Sequence, residues 1–199
     1  PGSASNPEKK FLRAVNSFKS QTYEDKELII VSDGCQKTVE LYEKYFLNDE
    51  NIHLLPIQKQ PLYSGEMRNV ALRQANGDII CYLDADDIIG KKHIQTIIEQ
   101  FTEDVDWVYY NDYLVKSADF KQQHVRLVEP RYASIGTSSI AHRNFYSERY
   151  KKDIYKPTWK VGYGHDWLYV LKMCSFGYKF KKLNTAPQYL VCHYGGGDF

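Results

Sequence analysis

Phe11, Leu12, Val15 and Phe18 recur at three- and four-residue intervals behind Asn6-Pro7-Glu8. That is one face of a helix with a capping side chain and a proline at its first position, and the pattern predicts a helix ending near Gln21. The period then shortens. Residues 27–31 and 52–57 are strand-length apolar runs, with a helical pattern over 39–46 between them, so the chain alternates in the manner of a mostly parallel sheet with helical crossovers. A further helix is predicted over 65–75, closed by the helix-ending pair Asn76-Gly77, and a strand over 78–83. Beyond it the pattern predicts a helix over 93–101, strands over 107–115 and 137–142 around a polar loop or hairpin, a helix over 165–176 and a strand over 189–193. One domain of α/β class is expected over residues 1–199.

Composition narrows the class. With 43% hydrophobic and 26% charged residues the chain reads as an ordinary globular protein. No apolar run reaches the length of a membrane span and no charged-then-apolar leader opens the sequence, so a cytoplasmic protein is expected. A net charge of +1 excludes nucleic acid as the main partner, while Lys151-Lys152 and Lys181-Lys182 are candidates for contact with acidic lipid at the inner face of a membrane. Cys35, Cys81, Cys174 and Cys192 are single and scattered, and are expected to be reduced core thiols.

The chemistry concentrates at 79–87, where Ile79-Ile80-Cys81-Tyr82-Leu83 runs straight into Asp84-Ala85-Asp86-Asp87. Three carboxylates within four residues raise one another's pKa unless a cation or hydrogen-bond donors neutralise them, and oxygen-only ligands suit Mg²⁺ or Mn²⁺. Ligands of open α/β sheets bind beyond the carboxyl ends of strands, which is where this cluster falls. Capping or surface acids would give the same local pattern.

In motif order the sequence resembles the family 2 glycosyltransferases, over nearly its whole length. FLRAVNSFKSQTY (11–23), ELIIVSDG (27–34), GEMRNVALRQANGDIICYLDADD (65–87) and SSIAHR (138–143) resemble successive family segments, and Gly164-His165-Asp166-Trp167 stands where the family has Glu-Asp-Trp. The resemblance implies the GT-A fold, a Rossmann-like mixed, mostly parallel sheet with helices on both faces. It further implies a donor-handling half over about 1–115 and an acceptor half over about 116–199. The implied activity is inverting transfer of a sugar from a nucleotide diphosphate, UDP favoured, to a glycan or lipid-linked acceptor in polysaccharide synthesis.

Position by position, the resemblance implies that Asp33 contacts the base, Arg68 the base or phosphate, Asp84 the ribose and Asp86 the metal. Asp87 would share the metal, His193 would close its shell, and Asp166 would be the general base. Tyr155 and Tyr163 are a plausible acceptor wall. The sequence departs from the family in three places. No strand ending in Pro-X-Tyr-Asn precedes Pro7, Ser32 replaces the first Asp of a pair, and His165 replaces the Glu before the base. Two other classes stay open on the residues alone: a phosphatase of the haloacid-dehalogenase type with Asp84 as nucleophile, and a non-catalytic nucleotide- or sugar-binding module. A sugar-1-phosphate nucleotidyltransferase is less favoured, because no Gly-rich, Arg- and Lys-bearing N-terminal loop is visible.

Overall fold

The first helix forms where its pattern places it. In the structure, a computed structural model describing residues 6–60, 64–117, 119–160, 162–184 and 188–192, α1 spans Pro7–Lys19. The Asn6 side chain accepts a hydrogen bond from the Glu8 amide at 2.9 Å, and the helix buries Phe11, Ala14, Val15 and Phe18. That spacing gives one apolar stripe. The tail at Gly195–Gly197 lies outside the described residues.

The described residues divide into two units. One is drawn from Pro1–Glu24, Cys81–His142 and Lys179–Phe199, the other from Asp25–Ile80 and Arg143–Tyr178. The chain passes between them within strand β3 (Ile79–Cys81).

The second unit is built on a βαβ motif. Strand β1 (Leu28–Asp33) pairs parallel with β2 (Ile52–Ile57), in register from Leu28 with Ile52 to Asp33 with Ile57, and α2 (Gln36–Tyr45) makes the crossover. Helix α3 (Gly65–Gln74) packs on β1, and α5 (His165–Ser175) follows later in the chain. The end of α3 is closed differently from the expectation at Asn76-Gly77. Gly77 is not in the left-handed conformation; instead the Glu27 carboxylate accepts the Asn76 and Gly77 amides at 2.7 and 2.9 Å, and the Asn144 side chain donates to the Ala75 and Gly77 carbonyls. Long-range side chains replace the local glycine cap.

The first unit holds the mixed pairing. Strand β10 (Tyr189–Cys192) lies parallel to β6 (Asp112–Val115) and antiparallel to β4 (Ile88–Ile89), and β7 (Gln123–Arg126) folds back on β6 as a hairpin. In a second ladder β5 (Trp107–Tyr109) runs antiparallel to β8 (Ile140–Arg143) and parallel to β9 (Phe180–Lys182). Helix α4 is short, His93–Ile98. Antiparallel pairing therefore claims more of the sheet than the alternation suggested.

Three expected elements change. The strand over 107–115 breaks at Tyr110-Asn111 and serves two different sheets: Tyr110 is fully buried with its amide on the Ser139 carbonyl, while the Asn111 side chain accepts the Val128 amide. The strand over 137–142 begins as one 3₁₀ turn because the Ser139 hydroxyl closes back on Gly136, offering the backbone a local alternative to the ladder. Strands β4 and β9 are too short to announce themselves. All four cysteines are free, but only Cys192 is buried; Cys35 and Cys174 are exposed, so the expectation of core thiols fails for those two.

Candidate functional site

The acidic residues lie on a turn between β3 and β4, and the turn is braced from β10. The Asp87 amide donates to the Asp84 carbonyl at 3.0 Å, closing the turn. The Tyr189 hydroxyl accepts the Asp84 amide at 3.0 Å and donates to Asp87 Oδ2 at 3.0 Å, while the Cys192 amide donates to Asp87 Oδ1 at 2.8 Å. Asp87 is 4% exposed. Its carboxyl is pushed up to about 8, first by burial and then by the charge of Asp84, with Asp86 adding to the rise and the Cys192 and Tyr189 hydrogen bonds opposing it. Asp87 therefore senses both of its acidic neighbours.

Asp86 is different from its neighbour. Its side chain is half exposed, Lys10 Nζ on α1 stands 4.0 Å from Oδ2, and Arg13 donates to its backbone carbonyl at 2.6 Å. A hard divalent cation fits the donor chemistry of Asp84 and Asp86, which offer only oxygen. Among the described residues no group of three or more His, Cys, Asp or Glu side chains is gathered as a metal cage, so an ion here would draw the rest of its shell from solvent and from ligand oxygens. His193, the expected closing ligand, lies outside the described residues.

The second unit brings Arg68 and Asp166 to one histidine. His165 opens α5 behind Gly164, whose φ of 77° lies in the left-handed region, and Asp166 sits in the first helical turn rather than at the cap. His165 Nε2 is 2.9 Å from Arg68 NH1 and 3.3 Å from Asp166 Oδ1, and its Nδ1 is 3.0 Å from the Gly162 carbonyl. The carbonyl can only accept and the guanidinium can only donate, so an Nδ1–H with the Nε2 lone pair toward Arg68 serves both, whereas an Nε2–H would serve the Asp166 carboxylate instead. The guanidinium also lies 4.9 Å from the centre of the Trp159 ring, and that ring stacks on Tyr169 at 4.1 Å. Asn69 holds the Trp159 backbone by both its amide, at 2.8 Å, and its carbonyl, at 3.0 Å. Gly65 lets this segment approach: a Cβ there would stand 2.2 Å from the Lys160 carbonyl oxygen.

Asp33 keeps other company. At the end of β1, before Gly34 with its φ of 66°, its carboxylate takes Lys59 Nζ and the Gln60 amide, each at 2.6 Å. The Lys59 hydrogen bond is the main reason its pKa is lowered, with the Gln60 amide assisting against some desolvation. Tyr155 and Tyr163 are 75% and 79% exposed, open to solvent in the same unit as Asp166. The sequence reading missed Tyr189, Lys59 and Trp159. Tyr189 is 102 residues from Asp87 and carries no local signal, whereas Trp159 lies close enough to Asp166 in sequence to have been a candidate.

Known proteins converge on one class. In sequence the chain is 28% identical over 116 residues to the glycosyltransferase GlyG of Streptococcus pneumoniae, covering 57% of this chain and 38% of that protein. It is 32% identical over 93 residues to the poly(ribitol-phosphate) β-N-acetylglucosaminyltransferase TarS of Staphylococcus aureus, covering 45% of this chain and 16% of that one. It thus spans well under half the length of these relatives. In structure it is similar to TarS residues 1–349 crystallised with UDP-GlcNAc, with a TM-score of 0.68 at 20% identity over 96% of this chain and 57% of that one. It is also similar to the mannosyltransferase PcManGT of Pyrobaculum calidifontis crystallised with GDP-Man and Mn²⁺, with a TM-score of 0.64 at 16% identity over 92% of this chain and 53% of that one. These likenesses give the fold, the GT-A arrangement expected from the motifs. The model of the family described as glycosyl transferase family 2 matches residues 3–176, more than half of the sequence, and the chain belongs to that family.

Proposed function

We propose that the protein transfers a sugar from a nucleotide diphosphate, a UDP-sugar in preference, to an acceptor hydroxyl with inversion at the anomeric carbon. The observation that carries this reading is the acidic turn, where Asp86 stays open to solvent while buried hydrogen bonds fix the residues on either side. TarS and PcManGT, crystallised with UDP-GlcNAc and with GDP-Man and Mn²⁺, support a nucleotide-sugar donor and a divalent ion.

In this reading Asp33, held in place by Lys59 and the Gln60 amide, accepts a base N–H, and Arg68 meets base or phosphate. Asp84 turns toward ribose. Asp86 holds Mn²⁺ or Mg²⁺, with His193 the proposed closing ligand; the bound ion would neutralise charge on the departing diphosphate. Asp166 takes the proton from the acceptor hydroxyl. That oxygen forms the new bond to the anomeric carbon from the face opposite the diphosphate, which leaves with the electron pair of the broken C–O bond. Donor handling is assigned to about residues 1–115 and acceptor handling to about 116–199, with Tyr155 and Tyr163 as acceptor wall.

The proposed acceptor is a glycan or lipid-linked glycan, and the proposed place is the cytoplasm, at the inner face of the membrane. No helix among the described residues is long and apolar enough to cross a membrane. The family match sets the phosphatase reading aside in favour of sugar transfer.

Isothermal titration of UDP and of GDP, with and without Mn²⁺, tests the donor half of the proposal. Mn²⁺-dependent UDP binding that disappears in Asp86→Asn is expected. Failure of both nucleotides to bind would overturn it, and binding without turnover of any UDP-sugar would return the chain to the class of binding modules.

A further inference from the structure

We propose that Asp87 and Tyr189 form an internal lock that sets the shape of the acidic turn, Asp87 being a positioning residue rather than a metal ligand; this rests on the donor site proposed above. The case begins with one hydroxyl. Tyr189 is fully buried on β10, and its oxygen uses both of its ordinary capacities on the turn, accepting from the Asp84 amide and donating to Asp87 Oδ2, each at 3.0 Å. The first and last residues of Asp84-Ala85-Asp86-Asp87 are thus tied to a single atom. The turn's own hydrogen bond, Asp87 amide to Asp84 carbonyl, closes the same loop at 3.0 Å.

Asp87 completes the lock from the other side. The Cys192 amide, three residues beyond Tyr189 on the same strand, donates to Oδ1 at 2.8 Å, so each carboxyl oxygen already serves a donor from β10. With the residue 4% exposed, an ion has little open path to the lone pairs these bonds leave. Loss of either would leave a buried polar group unsatisfied. Asp86, by contrast, sits between the two pinned residues with its side chain 52% exposed. The buried acid holds the loop and the exposed acid is presented by it.

The clamp is itself held rigidly. The Tyr189 ring meets the His93 ring edge-on at 5.7 Å and 64°, His93 meets Tyr110 in the same manner at 5.7 Å and 81°, and Tyr189 pairs with Ile89 across the β10–β4 ladder. A ring wedged in this way cannot swing its hydroxyl away without disturbing the core. Tyr189 therefore acts on bound metal through the turn, much as residues behind a ligand do elsewhere, where their removal costs about 10–100-fold in affinity.

Three variants test the lock with readouts that do not depend on turnover. Mn²⁺ binding is followed by the electron paramagnetic resonance of the free ion, with UDP present, and amide hydrogen exchange is followed at Asp84 and Cys192. Asp86→Asn should lose the ion. Asp87→Asn keeps the shape but leaves one of the two β10 donors without an acceptor, so it should weaken Mn²⁺ affinity only about as far as Tyr189→Phe, about ten-fold, although neither change removes an atom that meets the ion. In Tyr189→Phe the Asp84 amide should also exchange about ten-fold faster, the melting temperature showing that the protein is folded. Loss of Mn²⁺ in Asp87→Asn as complete as in Asp86→Asn would make Asp87 a ligand and overturn the proposal, as would unchanged Asp84 exchange in Tyr189→Phe. A wild-type protein that binds neither Mn²⁺ nor UDP would sink the donor-site reading, and the exchange measurement would still decide whether the lock exists.

Discussion

The acidic turn and the Arg68–His165–Asp166 cluster hold carboxylates in opposite ways. In the turn the acids lie within four residues of sequence, and one of them, Asp87, is buried with both carboxyl oxygens on donors from Tyr189 and Cys192. In the cluster Arg68 and Asp166, from two stretches of the chain, meet on His165, and Asp166 keeps a side chain 31% exposed in the first turn of α5. Binding a hard ion rewards a fixed oxygen, whose preorganisation lowers the cost of capture. Accepting a proton rewards a carboxylate that is oriented but still reachable, because the acceptor must come within hydrogen-bond distance of it.

That contrast makes predictions of graded size. The largest concerns Asp166→Asn, for which kcat for sugar transfer should fall about 10²–10⁴-fold while calorimetry finds UDP binding unchanged. Asp86→Asn should do the reverse, removing binding first. Equal loss of binding in both would erase the distinction between the two regions. Next in size, Gly65→Ala sets a methyl 2.2 Å from the Lys160 carbonyl, a backbone atom that cannot rotate away. It should cost roughly 2 kcal/mol in urea unfolding, damage belonging to the second unit.

A smaller effect separates the regions by pH. Burial drives His93, behind Tyr189, down to about 3, and neither ring nitrogen has a hydrogen-bond partner among the described residues. Because its folded value lies below the ordinary 6.5, the unfolded chain takes up the proton first as pH falls. His93's contribution is therefore fully present above about pH 6.5 and lost as pH falls toward about 3. His93→Phe removes that loss and should gain roughly 2 kcal/mol over wild type at pH 5, beyond any difference between the two at pH 8, in paired thermal melts. The smallest effect is at Asp33: its partner Lys59 has a side chain 76% exposed. Lys59→Ala should change stability by less than about 1 kcal/mol, measured by denaturant titration.

Legibility follows the same division. The acidic turn could be read directly because its residues are adjacent and follow an apolar strand. Asp166 was legible only through the family pattern, and the family match supports that pattern without testing the role. What held each site in place was not legible. Tyr189 acts from 102 residues away on Asp87, Glu27 closes a helix 49 residues downstream, and Asn69 fixes a tryptophan 90 residues away. Such ties are side-chain hydrogen bonds made only after folding, and no periodicity encodes them. The break at Tyr110-Asn111 did have a local signal, since Asn111-Asp112 interrupts the apolar run, but that pair does not say that the two halves join different sheets.

The position of Tyr189 on the last described strand also sets an order of events during synthesis. The ribosome delivers Asp84 to Asp87 about a hundred residues before the hydroxyl that pins them. A nascent chain stalled short of β10 carries every acid of the motif and none of the bonds from β10 that brace it. Competence for the proposed donor would therefore arrive only once β10 has been made, which makes nucleotide binding a reporter of whether the chain has placed β10 between β4 and β6.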